Sequence, residues 1–143
     1  MGDTWVLVAD EAKARFFRYQ PRKEILDEFE TLAHPQRRLQ TSELIEDKPG
    51  RVFDSAGDGR HSMGQPTDPH EQEALRFARE IAGKLDLARA RNEYDSLMVV
   101  AAPAFLGILR DTLSGEVRKR VAHEAAKNVV HMGREDILRQ LRH

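Results

Sequence analysis

The residues most able to do chemistry are crowded into one polar stretch, "PGRVFDSAGDGRHSMGQPTDPHEQE", from Pro49 to Glu73. Gly57 and Gly59 permit positive φ, so that successive backbone N–H groups can turn toward one anion. Arg51 and Arg60 flank the glycines with planar, forked cations suited to phosphate. Ser55 adds a hydroxyl donor, and Gln65 an amide. This is the composition of a phosphate cradle, although no Gly-Lys-Ser/Thr follows it as a nucleotide-binding loop would require. The alternative is a loop that only crosses the surface, its arginines paired with its own aspartates.

The same stretch offers acid–base groups. His61 and His70, with Asp54 and Asp68, are candidates to share a cleft beside a helix amino terminus, where the helix dipole favours an anion. Ser55 or Ser62 with a His and an Asp would make a nucleophile set, without the G-x-S-x-G elbow that usually presents one. His70 and Glu73 stand three apart on one helix face. With His61 and Asp68 they have the residue types of a metal site but no known ligand spacing. Neither a metal nor a cofactor is expected. His34, His123, His131 and His143 have no patterned partners and read as surface or packing residues.

Those groups need a scaffold. The chain has 143 residues, 40% of them hydrophobic and 33% charged, the size and balance of one globular domain, 1–143. It has no cysteine, which excludes a disulfide frame, a thiolate metal site and a cysteine nucleophile. The start, "MGDTWVLVAD", has no basic region and only a short apolar run, so no signal peptide, membrane insertion or export is expected, and the protein is expected to be cytoplasmic. A net charge of −1 argues against a generally basic nucleic-acid binder but leaves room for a local basic face.

"TWVLVAD" (Thr4–Asp10) reads as a buried strand and "ARFFRYQ" (Ala14–Gln20) as its hairpin partner. "EILDEFETLA" (Glu24–Ala33) is strand or short helix, with strand favoured by the turn "QPRK" before it and the stop "AHPQ" after it. Residues 34–68 show little periodicity beyond a possible helical turn at Ser42–Glu46, and connections of that length inside a compact domain are usually functional or disordered. A long helix is then predicted from Pro69 to about Arg91. Asp68 is its N-cap, Pro69 its first residue, and Ala74, Phe77, Ala78, Ile81, Ala82, Leu85 and Ala88 its apolar stripe. "YDSLMVVAA" (Tyr94–Ala102) reads as a buried strand and "PAFLGILRDTL" (Pro103–Leu113) as a helix. "VRKRVAHEAAKNVVH" is ambiguous between helix and strand, and "REDILRQLRH" closes the chain as a helix. The sum is an α/β fold with a single mixed sheet of about five strands and helices packed on it. Asp10 and Arg110 are candidates to face one edge of that sheet, where strand-to-helix junctions line clefts.

The stretches "WVLVADEAKARFF", "DKPGRVFDSAGDGRHSM", "TDPHEQEALRFAREIA" and "VVAAPAFLGILR" together resemble the host attachment family of bacteria, over nearly the whole chain. That family is similar in fold to the middle domain of archaeal and eukaryotic release factors and Pelota. The resemblance implies an RNase H-like sheet of the translation-machinery type, with RNA or the ribosome as partner. In release factors a Gly-Gly-Gln loop precedes a long helix, and "GRHSMGQ" precedes "EALRFAR" in a similar place. Met63 stands where the first Gly would, and Lys127-Asn128 where the family pattern has a Lys-Asp strand, which favours a strand within "VRKRVAHEAAKNVV". Two functions follow as expectations. One is a non-catalytic module binding a phosphate-rich partner through Arg51, Ser55, Gly57, Gly59, Arg60 and Gln65. The other is a phosphoester or ester hydrolase using His61, His70, Asp54 and Asp68.

Overall fold

A computed structural model describes residues 3–33 and 69–141. Strands β1 (Thr4–Ala9), β2 (Lys13–Gln20) and β3 (Ile25–Ala33) come first. The long helix α1 (Pro69–Ala90), strand β4 (Ser96–Ala101), helices α2 (Pro103–Thr112) and α3 (Gly115–Arg120), strand β5 (Val121–Ala126) and helix α4 (Arg134–Leu141) follow. The five strands form one mixed sheet in the order β3-β2-β1-β4-β5. β1 pairs antiparallel with β2 and parallel with β4, and β4 pairs parallel with β5.

β1 lies at the centre, and its apolar run is explained by cover on both faces. Trp5, Leu7 and Ala9 join the core under α1 and α2, with Phe77, Ile81, Leu85, Phe105 and Leu109. Val6 and Val8 point the other way, to Phe17, Leu26, Val100, Val129, Val130 and Ile137. The predicted stripe of α1 is the buried one, from Ala74 to Ala88. α2 starts on Pro103, whose fixed φ and missing N–H suit a first helical position.

The segment read as strand over Glu24–Ala33 is a strand from Ile25 to Ala33, as favoured, with Glu24 in the turn before it. Its unclear period has a cause. The β2–β3 register shifts between Phe16 and Phe17, so Phe16 lies opposite Glu30 while Phe17 lies opposite Glu28, leaving Phe29 as the extra residue. A bulge of this kind switches the faces of the strand. Leu26 therefore packs on one side of the sheet, and Phe29 and Leu32 on the other.

The ambiguous run divides. α3 covers its first part, capped by Ser114, whose Oγ accepts a hydrogen bond from the Val117 N–H at 3.2 Å. β5 follows without a loop. Past β5 the chain crosses the second face of the sheet, burying Val129 and Val130, and ends with Ile137 of α4 buried there. Arg15 ties this return in place: Nη1 donates to the carbonyls of Val130 (2.8 Å) and Met132 (2.7 Å).

Candidate functional site at the carboxyl edge of the sheet

β1 and β4 run parallel, so their carboxyl ends open on one edge, where clefts form in α/β folds. The Ala102 N–H donates to the Ala9 carbonyl at 3.2 Å and fixes the β4–α2 junction beside the end of β1. The first turns of α1 lie against α2, and between them is a groove of about 680 Å³. Its apolar lining is Ala74, Leu75, Ala104 and Ile108, and its polar lining is Glu11, His70, Glu71, Asp111 and Thr112. Among the described residues its lining has three carboxylates and no lysine or arginine, which makes it acidic. The Thr112 hydroxyl is turned inward, donating to the Ile108 carbonyl at 2.6 Å.

Of the predicted catalytic residues, the structure describes His70: exposed, in the second residue of α1, lining this groove. Asp54, His61 and Asp68 lie outside the described residues, as do Arg51, Ser55, Gly57, Gly59, Arg60 and Gln65, and Ser62, Met63, His34 and His143 with them. The helical turn expected at Ser42–Glu46 also falls there. Among the described residues no three His, Asp or Glu side chains are gathered to hold a metal ion. Glu73, one of the types considered for that role, binds Arg76 at 3.0 Å one turn along α1.

The expectation that Asp10 and Arg110 share an edge is corrected. Asp10 Oδ1 accepts the N–H groups of Ala12 (2.8 Å) and Lys13 (2.9 Å), so the carboxylate closes the β1–β2 turn. Arg110 extends instead toward β5, where Nη2 and Nε donate to Glu124 Oε1 at 2.7 and 3.1 Å. This hydrogen bond, with the attraction of the carboxylate, holds the guanidinium above its ordinary pKa. The two residues line separate hollows, Asp10 with Lys13, Thr31 and His131, and Arg110 with Arg118 and His123. Both histidines are exposed, as read from the sequence.

Sequence reasoning did not single out Arg15 or Glu124. Their partners are distant in the chain, and a long-range ion pair leaves no local pattern. The one hint at Arg15 was a cation inside the otherwise apolar run "ARFF". Among the described residues no helix is long and apolar enough to cross a membrane.

No curated protein matches the chain. A family model described as "Protein required for attachment to host cells" matches residues 5–141, from the first core residue of β1 to the end of α4. The chain thus belongs to the host attachment family.

Proposed function

We propose that this protein is a non-catalytic cytoplasmic binding module for a phosphate-rich partner, RNA or the ribosome. In this reading Arg51 and Arg60 meet phosphates, and Ser55, Gly57, Gly59 and Gln65 supply hydroxyl and amide donors. One observation supports it above the others. The glycine- and arginine-bearing segment leads directly into α1, and the first turns of α1 line the groove at the carboxyl edge, where open α/β sheets bind their ligands. The likeness of "GRHSMGQ" before "EALRFAR" to the release-factor loop and helix points the same way. Glu11, Glu71 and Asp111 would repel phosphate from the groove itself. The reading therefore assigns the anion contacts to the two arginines.

Fluorescence anisotropy with a labelled RNA duplex across a salt series tests it. Log K should fall linearly with log salt, by about −0.9 per phosphate contact on a duplex and about −0.7 on a single strand. Arg51→Ala and Arg60→Ala should each reduce the slope by about one contact. Unchanged slopes in both variants would overturn the proposal.

His70 in the groove lining favours one second reading, hydrolysis of a phosphoester or ester with His61 or His70 as base beside Asp54 or Asp68. A pH–rate profile with a limb near the histidine pKa, lost in His61→Ala or His70→Ala, is its signature. Absence of turnover on a panel of phosphoesters and aminoacyl esters would exclude it.

A further inference from the structure

The sheet treats its two outer strands differently. β3 is guarded: Asp27, Glu28 and Glu30 are strung along it, Glu28 binds Arg15 and Glu30 binds Lys84. Charges of this kind discourage another strand from adding. β5, "VAHEAA", carries one carboxylate, which Arg110 neutralises, and otherwise small side chains and His123. Its pairing with β4 skips Ala122 and resumes regularly from His123 to Ala126. Among the described residues β5 has β4 as its one strand neighbour, so its outer backbone groups form an open row.

Beside this row is a hollow of about 400 Å³ lined by Arg110, Arg118, His123 and Glu124. Arg118 is exposed, and among the described residues no carboxylate lies within ion-pair distance of it. With Glu124 compensated, the rim presents the Arg118 guanidinium, which has no ion-pair partner among the described residues, and the His123 imidazole. The charge invites an anion. The open strand edge narrows the choice, because it offers alternating N–H donors and C=O acceptors. An extended polypeptide satisfies both, whereas a phosphate backbone offers acceptors alone.

We propose that the β5 edge is a docking site for an extended acidic segment of another protein, which adds to the sheet as a further strand alongside His123–Ala126 with its carboxylates toward Arg118 and His123. Backbone pairing would supply affinity, and the basic hollow the preference for acidic sequences.

The probe is a dye-labelled peptide of alternating Glu and Val, followed by fluorescence anisotropy. Its controls are the same peptide N-methylated at alternate backbone nitrogens and a peptide of alternating Lys and Val. The acidic peptide should bind and shift the amide resonances of His123–Ala126. Arg118→Glu, an exposed change that leaves the core intact, should weaken it about tenfold. Both control peptides should fail to bind. Equal binding of the N-methylated peptide would overturn strand addition. So would no binding at millimolar peptide, or equally tight competition by a single-stranded RNA oligonucleotide. Slow hydrogen exchange of the outward β5 amides in the free protein would show the edge already occupied by this chain or a second copy, and would overturn it too.

Discussion

Arg15 of β2 reaches diagonally to Glu28 of β3, with Nη2 and Oε1 2.8 Å apart, while the same guanidinium holds the carbonyls of Val130 and Met132. One side chain, 12% exposed, thus joins β2, β3 and the segment that covers the second face of the sheet. Its ring contact with Phe17, 5.1 Å from the centroid, shields it further.

Arg15→Ala should therefore destabilise the fold by about 2–4 kcal/mol, since it leaves two carbonyls without their donor and a carboxylate without its cation. Arg15→Lys should recover part of that, because a single ammonium cannot replace the fork. Urea midpoints at neutral pH measure both. A loss below about 0.5 kcal/mol in the alanine variant would mean that the clamp is only a surface ion pair.

Glu28 gives a pH signature. The hydrogen bond from Arg15, aided by that from Thr31 and against the effect of burial, holds its carboxyl below the usual 4.5. A carboxylate with a depressed folded pKa contributes stability that is present above the unfolded pKa and lost as pH falls through the folded one. Stability should decline as acid is added below about pH 4.5, and Glu28→Gln should flatten the part of the decline that belongs to this group. Urea midpoints at pH 5.5 and 3 compare the two proteins. Identical slopes would contradict the assignment.

Tyr94 should titrate late. It is 1% exposed, its hydroxyl donates to the Leu85 carbonyl at 2.8 Å, and burial pushes its pKa up to about 12. A group that stays neutral when folded but ionises near 10 when unfolded adds stability below pH 10, and that stability disappears between 10 and 12. Absorbance of the phenolate during an alkaline titration should show one tyrosine ionising only near pH 12 or on unfolding. Tyr94→Phe should bring both tyrosine-dependent effects down together, at a stability cost of about 1 kcal/mol.

Trp5 carries an unmet donor. It is 1% exposed between Phe29 (4.7 Å), Tyr94 (4.9 Å) and Phe16 (6.4 Å), and its Nε1 has no hydrogen-bond partner among the described residues. Trp5→Phe removes area but also removes the orphaned N–H, whose desolvation costs about 1–3 kcal/mol. The two effects oppose each other, so this variant should lose less than about 1.5 kcal/mol, against about 3–5 for Trp5→Ala. Denaturation followed by circular dichroism reads both. A full-sized loss in the phenylalanine variant would point to a partner for Nε1, such as a buried water.

The parts of this fold that could be read from sequence are those decided locally. Pro69 and the stripe from Ala74 to Ala88 define α1 because a fixed φ and a 3.6-residue period are properties of neighbouring residues. Thr4–Ala9 is recognisable because a strand covered on both faces is apolar throughout. The period of β3 was obscured by the bulge at Phe29, which exists only in relation to β2. The division of "VRKRVAHEAA" at Val121 was hidden because the helical turn ends directly in the strand, with neither Gly nor Pro between them. Around the site, His70 could be placed from the helix start. The groove opposite it could not, because Ala104, Ile108 and Asp111 reach it only through the packing of α2 on α1.

The position of β1 constrains how the chain can assemble. The first of the five strands needs a partner made much later, since Thr4 pairs with Ser96 and Ala9 with Ala101. Among the described residues, the cover over Trp5 and Phe16 comes from α1 and α2, and that over Phe17 from Val129, Val130 and Ile137, all later in the chain than the three-stranded meander. Parallel pairing between distant segments is slow to close. During synthesis the meander therefore waits as an unfinished sheet for those later elements, the kind of intermediate that is prone to aggregate.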